Sequence, residues 1–101
     1  MAMSKLDKNN VILSALGHPL RRKILRRLES TSGGLSPKQL ADVLEQPIGV
    51  VSYHVRLLAE AGILKLTDTK QRRGAIEHFY TRAGNAVDQR AADVLELIGK
   101  D

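Results

Sequence analysis

Apolar residues recur along most of this chain at the three- and four-residue spacing of an α-helix. The pattern predicts five helices, over residues 6–16, 19–29, 37–45, 48–61 and 85–98. Between the fourth and fifth helices the period becomes extended, and two strands are predicted at 63–69 and 75–81, joined by a turn at 70–74. The predicted architecture is therefore mainly α with a two-stranded β-hairpin (α+β).

Proline and small polar residues mark the starts of these helices. Pro19 suits a first helical position, where its missing N–H costs nothing. Ser36, followed by Pro37 and Gln39, fits a capping box, in which the side chains of the first and fourth residues satisfy each other's backbone N–H groups. Asn85 is the predicted N-cap of the last helix.

Two further signals predict where helices stop. The third helix is expected to end at Gln46, because a residue before proline is pushed out of the helical region and Pro47 follows. The fourth is expected to end at Gly62, a favourable C-terminal cap. The third and fourth helices are thus predicted to be joined by a tight turn.

The fourth helix has two faces of different chemistry. Its core face consists of Val51, Val55 and Leu58. The opposite face carries small and polar groups that a small core would not need, namely Gly49, Ser52, Tyr53 and Arg56. A small residue permits close approach, and hydroxyl and guanidinium groups bind base edges and phosphates. The pattern predicts a helix that lies in the major groove of DNA.

The roles on this face follow from position along the helix. Ser52 and Tyr53 are the predicted base contacts, and Arg56 is expected to bind phosphate, because the N-terminal part of such a helix lies deepest in the groove. Lys38 and Val50 complete the predicted DNA-binding positions of the helix pair. Two alternatives remain open: Tyr53 packs on the hairpin, and Ser52 is a plain exposed helix residue.

Charge is unevenly distributed over the 101 residues, a length that fits one domain. The net charge is +5, but residues 1–83 carry +7 and residues 84–101 carry −2. A basic body favours a polyanionic partner, although a merely soluble basic protein has the same balance. The basic run of the second helix is interpreted as a solvated face from which one or two side chains reach phosphates; its members are Arg21, Arg22, Lys23, Arg26 and Arg27.

Three longer motifs resemble the signatures of the ArsR-type winged helix-turn-helix regulators, in the family's order and spacing. They are ALGHPLRRKILRRL at 15–28, VSYHVRLLAEAGIL at 51–64 and RRGAIEHFY at 72–80. The resemblance covers roughly residues 10–82. It implies a winged helix-turn-helix that binds operator DNA as a homodimer. It also implies that 37–45 and 48–61 are the DNA-reading helices and that 63–81 is the wing.

The predicted tip of the wing is basic. Lys70, Arg72 and Arg73 are expected to contact the DNA backbone or the minor groove beside the groove helix. The alternative is a solvated turn, which is often charged. Phe79 and Tyr80 on the return strand are interpreted as packing residues.

Neither a metal nor a cofactor is expected. The chain has no cysteine, and its three histidines lie in separate elements. The resembled family often senses metals through cysteines near the groove helix or Asp–His pairs on the last helix, and this last helix has no histidine. His18 is expected to cap the second helix, and His54 to have a hydrogen-bonded structural role.

The last helix carries a second apolar stripe at spacings of four, three and four residues. A small domain has little spare core for it, so it is predicted to pair with its own copy. The alternative is intramolecular capping of the domain. The predicted dimer interface consists of Val87, Ala91, Val94, Leu95 and Ile98, together with Leu6 from the first helix.

These features predict a dimeric, sequence-specific transcriptional regulator, expected to be a repressor, that binds a two-fold symmetric operator in the cytoplasm. The cytoplasmic location follows from the absence of a signal peptide, of an apolar run long enough for a membrane and of cysteines. The second hypothesis is a winged-helix protein-interaction module. An enzyme is the third class, and no nucleophile–base pair, glycine-rich phosphate loop or carboxylate pair supports it.

Overall fold

The structure is a computed structural model that describes residues 5–99, with side chains described from residue 9 onward. Five helices and one antiparallel hairpin follow one another along the chain. They are α1 (Lys5–Leu16), α2 (Pro19–Glu29), α3 (Pro37–Leu44), α4 (Ile48–Glu60), β1 (Leu64–Arg72), β2 (Ala75–Arg82) and α5 (Ala86–Ile98). The predicted mainly α architecture with a two-stranded hairpin is confirmed.

A single apolar core joins the helices to the base of the hairpin. The predicted stripe of α2, Leu20, Ile24, Leu25 and Leu28, is buried. Leu40 of α3 and the predicted core face of α4 close over it, together with Ile63 at the start of the hairpin. The helix pair α3–α4 is thereby fixed to the body of the domain by its apolar side, which leaves its other side exposed.

The predicted N-terminal caps are confirmed. The backbone N–H of Leu20 donates to Nδ1 of His18 at 3.1 Å. At α3, the N–H of Gln39 donates to Oγ of Ser36 at 3.2 Å, and the N–H of Ser36 donates to Oε1 of Gln39 at 3.0 Å. The N–H of Asp88 donates to Oδ1 of Asn85 at 2.8 Å. Local sequence therefore determines where these helices begin.

The helix ends agree with prediction at one position and differ at another. Gly62, at φ +82°, closes α4, and the N–H of Ile63 donates to the carbonyl of Leu58 at 3.0 Å. In contrast, α3 already ends at Leu44, because Glu45 adopts the left-handed conformation with φ 54° and ψ 48°. The expected stop at Gln46 and Pro47 is wrong, because the left-handed backbone of Glu45 ends the helix before the chain reaches Pro47.

The hairpin is longer and its turn tighter than predicted. β1 runs to Arg72, so Lys70 and Arg72 lie in a strand, and the loop consists of Arg73 and Gly74 alone. Both have positive φ, 43° and 84°, which is the backbone of a type I′ turn. The polarity of residues 70–74 predicts a turn over the whole run, but exposed hairpin strands also carry charged residues.

A third, very short strand segment attaches the hairpin to the helix pair. Leu35 and Tyr80 exchange two backbone hydrogen bonds, at 2.9 and 3.0 Å, immediately before α3 begins. Gly34 permits this approach: its φ is +84°, and a Cβ there would lie 2.8 Å from the carbonyl oxygen of Tyr80. Sequence reasoning treated 30–34 only as a loop and missed this link.

The last helix is less available to a partner than predicted. Ala91 and Leu95 are 0% and 4% exposed within the chain's own core, so the predicted interface is wrong at these two positions. Their spacing matches a helix–helix seam, but the partners are the other helices of the same domain. Val87 and Val94 are half-buried and Ile98 is exposed. Leu6, the predicted contribution of α1, lies outside the part of the chain whose side chains are described.

Candidate nucleic-acid interface

The two predicted faces of α4 are separated as the sequence indicated. Val51, Val55 and Leu58 have essentially no exposed surface. The opposite side carries a set of residues that we call the reading face: Gly49, Val50, Ser52, Tyr53 and Arg56. Ser52 is half-buried, and the other members are exposed. Tyr53 is 55% exposed, and its ring meets that of His54 edge-on at 5.2 Å between centroids.

The reading face continues into a cleft between the helix pair and the hairpin. This cleft has a volume of about 400 Å³. It brings together Ser52 and Arg56 of α4 and Lys38 of α3, three of the predicted DNA-binding residues. The hairpin side of the cleft comes from β2 and contains Ile76, Glu77, His78 and Tyr80. A basic side chain from each helix therefore faces one open concave surface.

Sequence reasoning missed the contribution of β2. Ile76, Glu77 and His78 were not among the predicted site residues, yet all three line the cleft, and Ile76 is exposed. Which strand of a hairpin lies nearer to a helix is a tertiary property that period-two alternation does not show. The one sequence signal for this contribution of β2 is an isoleucine close to the basic turn.

The three predicted basic residues of the wing have different surroundings. Arg73 lies in the turn itself, and within the described residues its side chain has no polar partner. Lys70 places Nζ 5.3 Å from the centre of the Phe79 ring, a cation–π contact. Arg72 forms an ion pair with Glu77, with 3.2 Å between Nε and Oε1. Phe79 is buried, as expected for a packing residue.

His54 lies directly beneath the reading face. It is buried, its ring centroid is 4.4 Å from that of His18, and its Nδ1 has no hydrogen-bond partner within the described residues. The expected hydrogen-bonded role is therefore wrong at this nitrogen. Burial, and then the nearby charges of His18 and Arg21, lower the pKa of His54. The lowered pKa favours the neutral ring in the folded protein.

The described residues provide neither a cluster of metal ligands nor a membrane-spanning helix. Between residues 5 and 99, no three His, Cys, Asp or Glu side chains are grouped in a way that could hold a metal ion. None of the described helices combines the length and apolar character needed to cross a membrane.

The sequence of this chain matches a known protein family. Residues 16–67, about half of the chain, match the model of the helix-turn-helix domain family. An uncharacterised HTH-type transcriptional regulator of Methanocaldococcus jannaschii is 29% identical over 96 residues, which is 95% of this chain and 97% of that protein.

Solved structures share the fold. One is the homodimeric winged helix-turn-helix DNA-binding domain of a possible ArsR-family regulator from Mycobacterium bovis, with a TM-score of 0.68 at 21% identity, covering 97% of this chain and 89% of that one. Another is the transcriptional repressor BigR of Xylella fastidiosa, with a TM-score of 0.68 at 20% identity, covering 92% and 85%. The chain therefore belongs to the helix-turn-helix domain family, in the winged form that the ArsR-type regulators of transcription have.

Proposed function

We propose that this protein is a sequence-specific DNA-binding repressor that binds a two-fold symmetric operator as a homodimer. The observation that carries the proposal is the reading face of α4, which is polar, exposed and flanked by a basic hairpin. In this proposal α4 lies in the major groove, where Ser52 and Tyr53 read bases and Gly49 lets the backbone approach. Val50 contributes an apolar contact of the kind that suits a thymine methyl group.

The phosphate contacts lie around this groove helix. Arg56 on α4 and Lys38 on α3 bind the backbone from the cleft, and Arg72 and Arg73 bind it from the hairpin. Lys70, whose ammonium group lies over Phe79, contributes mainly to the local positive potential. These contacts position the protein on the duplex, and the groove helix contacts the base edges.

The proposed homodimer is supported by an uncovered apolar surface on α1 and α5. Leu13 is 59% exposed and Leu97 is 87% exposed. A groove of about 410 Å³ lies between these helices, lined in part by Ile12, Leu13 and Val94. The Mycobacterium bovis domain is homodimeric, and in our proposal the same assembly of this protein brings two copies of α4 to one face of DNA. The predicted interface residues Val87, Val94 and Ile98 remain part of this proposal.

Repression and location are the remaining parts of the proposal. The Xylella fastidiosa relative is a transcriptional repressor, and a bound dimer that covers an operator blocks other proteins from the same DNA. We expect the protein to act in the cytoplasm.

In vitro selection from fragmented genomic DNA, with sizing of the bound species, tests the proposal. We expect a short sequence with two-fold symmetry and a complex of two protomers per duplex. Recovery of unrelated fragments, with binding that does not depend on salt, would contradict it and favour a protein-interaction module instead.

A further inference from the structure

Glu77 joins the helix pair to the basic end of the hairpin. Its Oε2 accepts a hydrogen bond from Oγ of Ser36 at 2.6 Å, and its Oε1 lies 3.2 Å from Nε of Arg72. The side chain of Glu77 is 19% exposed, whereas that of Arg72 is 61% exposed. One carboxylate therefore connects a buried hydroxyl to a guanidinium at the surface.

Both ends of this connection are well defined. Ser36 has no exposed surface and is the N-cap of α3, so its hydroxyl is held by the start of the helix pair. In the strand register, Arg72 pairs with Ala75 and Lys70 pairs with Glu77. Arg72 and Glu77 are thus diagonal neighbours across β1 and β2, a distance that long side chains can span. In the ion pair, Nε of Arg72 faces Oε1 of Glu77.

A carboxylate in this place is unfavourable for general attraction to DNA. Glu77 lines the cleft beside the reading face, where it repels phosphates and cancels one of the few positive charges on the hairpin. A chain that only needed a basic surface would gain from a neutral residue at this position. The two contacts of Glu77 indicate that it instead fixes the orientation of the Arg72 side chain.

We propose that Glu77 is a positioning residue that gives Arg72 its part in sequence specificity. The proposal rests on the proposed function. Glu77, anchored on Ser36, holds the guanidinium at a fixed place relative to α4, so that its terminal nitrogens meet a phosphate only when α4 lies in its correct register. An arginine without this anchor adapts to any duplex and strengthens all binding equally.

The test compares Glu77→Gln with Asp68→Asn, using the selected operator and a scrambled duplex of the same length. Asp68 is a matched control, since it lies exposed on β1 and, among residues 5–99, its carboxylate accepts only from the N–H of its neighbour Thr69, at 2.8 Å. Each change removes one negative charge from the hairpin. For D68N we expect affinity for both duplexes to rise by about twofold, because repulsion falls.

For E77Q we expect affinity for the scrambled duplex to rise in the same way and affinity for the operator to fall. The ratio of operator to scrambled affinity should decrease at least about fivefold. If E77Q instead raises both affinities as D68N does, the positioning role is refuted.

A second pair of variants leaves the Ser36–Glu77 contact intact and decides the matter if E77Q does not fold. Arg72→Lys keeps the charge but removes the Nε that Glu77 holds, so we expect the same loss of specificity. Lys65→Arg, an equally conservative change at an exposed position of β1, should leave the ratio unchanged. A wild-type ratio in R72K would also refute the positioning role. If the wild-type protein itself does not distinguish the two duplexes, the proposed function fails instead.

Discussion

At Gly49 the stability of the fold favours alanine, whereas the proposed DNA contact favours glycine. A Cβ at this position would meet no atom within 4 Å, so the fold has no steric need for glycine in the first turn of α4. We predict that Gly49→Ala raises the free energy of unfolding by up to about 1 kcal/mol, through a less flexible unfolded chain. Urea denaturation measures this change.

The same variant should bind operator less tightly, because the added methyl group holds the backbone of α4 away from the bases. Affinity is measured on operator DNA with the wild-type protein alongside. An alanine variant that is more stable and binds as tightly as the wild type would show that Gly49 does not face DNA closely.

His54 makes stability depend on pH. Its pKa in the folded protein is lowered from 6.5 by burial, by His18 and by Arg21, so the unfolded chain binds more protons near that pH. The free energy of unfolding should therefore be highest above pH 6.5 and fall as the pH drops below it, until the folded protein is also protonated.

Urea denaturation at pH 7.5 and pH 5.5 checks this expectation. His54→Phe, which keeps a ring between α2 and α4, should reduce the difference between the two pH values. His78→Gln removes an exposed histidine of β2 and should leave the difference as it is. An unchanged pH dependence in H54F would assign the effect to other groups.

Among the elements, the hairpin and α5 are joined by a buried ion pair. Oδ1 of Asp88 lies 2.6 Å from Nη2 of Arg82, and its Oδ2 accepts from the N–H of Gly84 at 2.9 Å. The two side chains are 13% and 8% exposed for arginine and aspartate. Removing one member leaves an uncompensated charge in a poorly solvated place.

We predict that Asp88→Ala lowers the free energy of unfolding by about 3 kcal/mol. Asp93→Ala, in the same helix, removes an exposed carboxylate and should cost less than about 0.5 kcal/mol. Chemical denaturation of both variants gives the comparison, and equal small losses would mean that the pair contributes little to the junction.

Local sequence signals predict the helix caps, but they do not predict the contacts between distant elements. Ser36, Asn85 and Gly62 determine helix ends through neighbours two to five residues away, and these local signals predicted the caps correctly. The Leu35–Tyr80 strand pairing and the Ser36–Glu77 contact join residues about 40 positions apart, which no local pattern encodes. The stripe of α5 predicted pairing with a second copy, but Ala91 and Leu95 pack in their own chain because the helix folds back over the core.

The proposed dimer requires that α1 and α5 leave an apolar surface uncovered. Leu97 is the most exposed large apolar side chain on α5. We predict that Leu97→Glu gives a folded monomer in sedimentation velocity experiments, with weaker operator binding because the two half-sites no longer act together. Val43→Glu changes an exposed apolar residue on α3 and should leave the assembly unchanged. A dimeric L97E protein would move the interface elsewhere.

The salt dependence of operator affinity shows whether the reading face of α4 and the hairpin bind DNA. Wild type, Arg56→Gln and the control Glu29→Gln, which changes the charge of an exposed side chain at the end of α2, are titrated with operator at several salt concentrations. We predict a steep slope for the wild type and for E29Q. In R56Q the slope should be smaller by about one per protomer, because one phosphate contact is lost from each. Equal slopes for R56Q and the wild type would contradict the account.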